Sequence, residues 1–238
     1  AYEMTSSLVG SEMCIRDRCI IVTKGTILIM KAEVKEKKKG RVFYLFIMFM
    51  LISFLGWCME TVYFLVVWND LTDRGFLSMP FCTIYGCSIL AIYLIIGTPA
   101  GGRLKPLFER AKRLPTALKM LAYIGLYCLY FVFAALIPTI AEFVTALFFD
   151  KVFGVVLWDY SYHTYDLYGY VCLEMTVLWG VVITAAMRIV WPLLEKLVYL
   201  IPQRAAKAAA ILLVVLLSAD FVFNFSYLCI KGKHLVLY

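Results

Sequence analysis

Charge is what this sequence has least of. Asp, Glu, Lys and Arg make up only 16% of its 238 residues. Ordinary soluble domains carry about a quarter, so this chain cannot cover a globule with polar surface. Histidine is scarcer still. His163 and His234 are the only two, which leaves a histidine-based metal site or triad almost without material. Of eight cysteines, none forms a Cys-x-x-Cys pair. Six of them (Cys58, Cys82, Cys87, Cys128, Cys172 and Cys229) lie in or beside apolar segments, where a thiol behaves as a small hydrophobe. Nucleophile elbow, Walker motif, Rossmann glycine pattern and zinc-protease helix are all missing. The expectation is no enzyme, no cofactor and no metal, and any use of ATP would need a separate ATPase chain.

What is present is apolar. Hydrophobic residues reach 63% and mean hydropathy is +0.87. Several apolar runs are about twenty residues long, enough to cross a bilayer core of about 30 Å. The chain reads as an integral membrane protein whose first partner is the lipid bilayer. Its net charge of +7 sits in short connectors between those runs, the footprint of topology rather than of a nucleic-acid face.

Residues 1–18 look like a translated sequencing-adapter artefact, and 1–30 are expected to be an artefact or disordered leader. Residues 31–41, with five lysines and Arg41, read as a basic cytoplasmic anchor. A single transmembrane helical domain is expected over 42–230, with a tail at 231–238. Its spans fall at about 42–67, 81–97, 116–137, 167–190 and 208–230. Pro138 should separate or kink the apolar stretch that continues to Phe149. Two short interfacial helices are expected. One is basic and amphipathic within 98–115, with Leu104, Leu107, Phe108 and Leu114 at helical spacing; the other runs through Leu193, Leu194, Leu197, Val198 and Ile201. The fold class is all-α: a polytopic helical bundle of about five transmembrane helices.

Counting Lys and Arg by connector gives 15 on one side and 4 on the other. The positive-inside rule then places the N-terminus in the cytoplasm of a multi-pass cell-membrane protein. The 98–115 loop is the expected docking place for an ATPase subunit.

Carboxylates in such apolar sequence raise functional questions. At 1.5 Å per residue, Glu60 is expected about 27 Å from the inner boundary and Glu174 about 10 Å inside the outer one. Gly56, Glu60 and Tyr63 share a helix face, so Glu60 should point between helices. With Arg74, Glu142 and Asp159 also on the outer side, these groups form either a polar site for a solute or ion, or a charge network bracing two hairpins. Asp220, with Asn224 a turn later, is expected nearer mid-membrane as an ion contact or as interhelical glue. Trp158, Trp179 and Trp191 suit an interfacial aromatic belt. His163 reads as solvated, with no metal partner visible. Glu60 to Gly86 and Glu142 to Gly169 span 26 and 27 residues, an echo that parallel repeats would produce.

Leu55-Gly56-Trp57 with Glu60, Arg74-Gly75-Phe76-Leu77, Pro80 and Ile84-Tyr85-Gly86 form a set of spaced blocks. Glu142, Phe148, Trp158-Asp159-Tyr160-Ser161, Gly169, Cys172-Leu173 and Trp179-Gly180 continue it. Over residues 42–190 this pattern resembles the ABC-transporter type IV (CmpB-like) bacterial membrane proteins. The family pattern has Asn at Asp73 and Asp166, Gly at Met79, Pro at Thr83 and Arg at Tyr170. Losing that arginine should alter any charge network around Glu174. The resemblance implies a permease-like membrane protein. The expected function is transport or binding of a small solute or ion at an outer-half polar site of Glu60, Arg74, Glu142, Asp159, Glu174 and Asp220. The alternative is a non-transporting interaction or assembly subunit.

Overall fold

A computed structural model describes residues 40–69, 71, 75–99, 101–233 and 235. The 1–30 leader, most of the 31–41 anchor, Arg74 with Asp73, and part of the 231–238 tail lie outside the described residues. The chain divides into two compact units, residues 1–42 and 43–238. Of the first, only the opening of a helix is described; the second carries everything below.

Seven helices and one small hairpin are found among the described residues. Helix α1 is Gly40–Trp68, a proline-free run of Leu, Ile, Met and Phe. It is followed by α2 (Thr83–Ile95), α3 (Lys105–Lys112) and α4 (Thr116–Phe153). Strands β1 (Asp166–Leu167) and β2 (Val171–Cys172) pair antiparallel. Helices α5 (Leu173–Arg188), α6 (Val190–Val198) and α7 (Gln203–Lys231) complete the chain.

By length and apolarity α1, α4 and α7 qualify as membrane spans, and α5 with α6, bent by 42°, makes a fourth if the pair is one span. The expected five becomes three or four. The shortfall is α2: its 13 residues rise about 20 Å, less than a bilayer core. Pro80 and the irregular stretch before it occupy the entry, and Gly97 at φ 85° turns the chain out.

Pro138 does not divide α4. The helix runs 38 residues through it, about 57 Å of rise. Thr139 donates its hydroxyl to the Ala135 carbonyl at 2.9 Å, on the turn that proline loosens, and lies 3.0 Å from the Thr176 hydroxyl of α5. Hydroxyls of this kind re-satisfy backbone groups near a membrane proline. Helices stand where the two interfacial ones were expected, as α3 and α6. On α3, Phe108 and Ala111 are buried, and the Phe108 ring meets Tyr123 and Tyr127 of α4.

The contacts define two ends of the bundle. At the end carrying basic α3, Tyr44 of α1 donates to the Ile201 carbonyl at 3.0 Å, and Tyr130 of α4 donates to the Gly97 carbonyl at 2.9 Å. Tyr93 of α2 stacks on Trp191 of α6 with ring centroids 4.3 Å apart. The opposite end gathers the tail of α1, the 75–82 segment, the far part of α4, the 154–172 connector and the far part of α7. Met48, Ile92 and Met187 belong to the same buried cluster as Tyr130 and Trp191. Trp191 is 1% exposed and Trp179 9%, so neither belongs to an interfacial belt: both are core aromatics.

Candidate functional site

Two glycines shape the end opposite α3. At Gly56 an added Cβ would run into the Tyr85 ring, 2.8 Å from its Cβ, so α1 and α2 meet only because glycine stands there. At Gly180 an added Cβ would lie 2.6 Å from the Phe131 ring and 3.0 Å from the Ala135 Cβ, which brings α5 close to α4. Tyr85 precedes a second close-packed glycine, Gly86, and Trp179 precedes Gly180. Each aromatic is thereby set at a helix–helix seam. Their rings meet edge to face at 5.3 Å.

Between α1, α2, α4 and α5 lies a cavity of about 200 Å³. Its lining is mostly aliphatic, from residues such as Ile52, Leu55 and Ile183, with Tyr85, Trp179 and Glu142 among them. Glu142 is 9% exposed. It interacts electrostatically with the Trp179 indole, yet the indole N–H closes no hydrogen bond. Among the described residues Glu142 has no cationic partner. A buried carboxylate with no cation against it and the buried Trp179 N–H thus share one apolar chamber. Such groups are costly to bury and rare without a reason.

Glu60 is differently placed. Its Oε2 accepts from the Tyr85 hydroxyl at 3.2 Å and from the Cys82 thiol at 3.5 Å. It points between helices, as its face predicts, and ties α1 to α2. Tyr85 is therefore the hinge of the site: its ring lines the cavity beside Glu142, and its hydroxyl holds Glu60. Tyr160 in the connector stands near the same charges. Burial, with Glu142, Cys172 and Glu60 adding to it, pushes its phenol well above the usual range.

The remaining expected site residues are not drawn together. Arg74 lies outside the described residues. Asp159 accepts the Ser161 N–H at 2.8 Å within an Asx-type turn. Those Ser161 hydrogen bonds hold its carboxyl below the usual carboxylate range. The Trp158 indole donates to the Tyr170 carbonyl at 2.8 Å, and Tyr160 N–H donates to the Gly169 carbonyl at 2.8 Å. The Trp-Asp-Tyr-Ser block is thus a clasp on the hairpin, not a belt.

Glu174 was expected about 10 Å inside a helix beginning at Leu167. The helix instead begins at Leu173, because Tyr168 and Gly169, at φ 58° and 73°, reverse the chain into β2. Glu174 falls in the first turn, its side chain 46% exposed, 3.6 Å from His163 Nδ1. Tyr170 plays no part there, since its hydroxyl donates to Asp150 at 2.6 Å. The same turn removes the repeat: Gly86 is a buried helix residue, whereas Gly169 is a turn residue with positive φ.

Asp220 lies beyond the middle of α7, facing the α1–α2 connector. Its Oδ2 accepts the Met79 N–H at 3.1 Å. The neighbouring Asn224 amide donates to Ser78 Oγ at 2.9 Å and to Asp220 Oδ1 at 3.0 Å. The pair clamps a loop, apart from the cavity.

Reading the sequence alone misses Tyr85 and Trp179 as lining residues, and Cys172 as a neighbour of His163 and Glu174. The usable signal for the first two was the aromatic–glycine dipeptide, since glycine in a helix marks close approach.

The family model described as "Putative ABC-transporter type IV" (ABC_trans_CmpB) matches residues 47–225. That match covers the cavity, the hairpin and most of α7. No curated protein and no solved structure matches the chain.

Proposed function

The chain belongs to the ABC-transporter type IV (CmpB-like) family, and we propose from that membership that it is the permease-like membrane component of an ABC-type transport system. It holds a small solute or ion in the Glu142 cavity and has no catalysis of its own. One observation carries this reading: the buried Glu142 carboxylate, with no cation against it among the described residues, faces an apolar chamber beside the Trp179 N–H. A solute with an apolar body, a donor or positive group, and an acceptor would complete both. The basic end, with Lys105, Arg110 and Lys112 exposed on α3, faces the cytoplasm of the cell membrane and offers the docking surface for a separate ATPase. The cavity then lies in the outer half.

The test is purification of the tagged full chain from its host membrane in mild detergent. An ATP-hydrolysing subunit should travel with it, and reversing the charges of Lys105, Arg110 and Lys112 together should release that subunit. A preparation with no ATPase under conditions that preserve other complexes would overturn the proposal. A second reading, a non-transporting assembly subunit, is favoured by Glu60, whose bonds to Tyr85 and Cys82 brace α1 against α2. Under that reading the partner would be a chain without ATPase activity.

A further inference from the structure

His163, Cys172 and Glu174 are scattered in character along the sequence: a loop histidine, a strand cysteine and a helix glutamate. Folding brings one potential ligand atom from each to within 4.8 Å of the other two. The hairpin is the device that does this. It places Cys172 at the end of β2, just ahead of the first turn of α5, while the connector swings His163 over both.

We propose that these three side chains form a binding site for a single zinc ion, in a place distinct from the Glu142 cavity. Three atoms within 4.8 Å of one another always leave a point within about 2.8 Å of each. Zinc bonds of about 2.0–2.3 Å to nitrogen, oxygen and sulfur therefore need side-chain movements of roughly half an ångström. The 3.6 Å between His163 Nδ1 and Glu174 Oε2 is already close to the ligand–ligand edge of a tetrahedron with such bonds.

Among the described residues nothing else hydrogen-bonds the histidine side chain. Its Nε2 is buried without a partner, and its Nδ1 lies just beyond hydrogen-bond reach of Glu174. A histidine kept for structure would have those nitrogens bonded. The ring is nonetheless held, against Tyr162 at 4.4 Å and Tyr160 at 6.0 Å between centroids. Cys172 is 2% exposed and unbridged, so its position is fixed, whereas Glu174 is half exposed and free to swing in.

The ligand types select the metal. Thiolate, imidazole and carboxylate together suit a borderline-soft ion; hard cations such as Mg2+ and Ca2+ take oxygen alone. Three protein ligands leave a fourth position for water, the pattern of an open zinc site rather than a closed structural one.

The experiment uses the full chain in detergent, titrated with Co2+ and then Zn2+. Wild type should bind one Co2+ per chain with a thiolate-to-cobalt charge-transfer band, and Zn2+ should abolish that band. Cys172→Ser should remove the band, His163→Gln should weaken binding at least tenfold, and Cys128→Ser on the exposed face of α4 should change neither. Should Cys172→Ser fail to fold, His163→Gln decides alone, through loss of the rise in Tm that Zn2+ gives wild type. Binding with no charge-transfer band, or an affinity unchanged in His163→Gln, would overturn the site.

Discussion

The two ends of this bundle use the same residue types for opposite purposes. At the α3 end the tyrosines are fastened. Tyr44 and Tyr130 each donate to a backbone carbonyl, and Tyr93 stacks on a fully buried Trp191. At the other end Tyr85 and Trp179 wall a chamber, with the Trp179 N–H unpaired beside Glu142. The Trp191 N–H is likewise without a hydrogen bond among the described residues, so what sets the second end apart is the buried Glu142 carboxylate and the chamber it lines. Stability and binding compete for the same groups, and sites where fold rules are broken are where binding is expected.

The sharpest way to test the contrast is to remove the anchor of the fastened end. Trp191→Ala should destabilise the protein by about 3–5 kcal/mol through the lost ring and the cavity left behind. Thermal unfolding in detergent, read with Trp179 still present, measures this. A loss below about 1 kcal/mol would mean that Trp191 is not the keystone its burial indicates.

Next in size is Gly56→Ala. Its new methyl meets the Tyr85 ring close to the backbone, where a rotamer change offers no escape, so the helices must part. The expected cost is about 1–3 kcal/mol, with the Tyr85–Glu60 hydrogen bond lost as well. Tyr85→Ala on the same background should recover part of that stability, because it removes the collision. Failure to recover it would place the strain elsewhere.

A smaller pair of changes sets the two ends directly against each other. Tyr130→Phe removes a satisfied hydrogen bond and should cost about 0.5–1.5 kcal/mol. Glu142→Leu removes a buried carboxylate lacking a cationic partner and should be neutral or stabilising by about 1 kcal/mol or more. The measurement is the sign of the change in Tm. A marked destabilisation by Glu142→Leu would turn Glu142 into a bracing group and favour the assembly reading.

Much of this was legible in the residues. Apolar runs marked the membrane class, α3 and α6 followed from amphipathic spacing, and Glu60 pointed inward as its face required. That Glu142 lies on the same side as Glu60 was visible too, but not that it is buried against Trp179. Other features were hidden for physical reasons. Leu167 looked like the start of a span because hydropathy ignores backbone handedness, and it is the positive φ of Tyr168 and Gly169 that turns the chain. Trp179 and Trp191 resembled belt residues because composition cannot tell a lipid interface from a helix seam. The meeting of His163 with Cys172 and Glu174 is a tertiary event that neither periodicity nor spacing encodes.

The smallest predicted effect belongs to the clasp over the open end. Asp159 accepts the Ser161 N–H, and that bond lowers its carboxyl pKa. A carboxyl lowered on folding contributes stability above its unfolded value, about 3.9, and loses it as pH falls through the lower folded value. Hydrogen exchange at the Ser161 amide, corrected for intrinsic rates, should therefore show constant protection from neutral pH down to about pH 4 and a decline below it. In Asp159→Ala the protection should be weaker at neutral pH and flat across the same range. A decline that persisted in that variant would remove Asp159 as its source and would move the clasp from the Trp-Asp-Tyr-Ser block to the hairpin itself, where Asp166 accepts the Gly169 N–H at 2.7 Å.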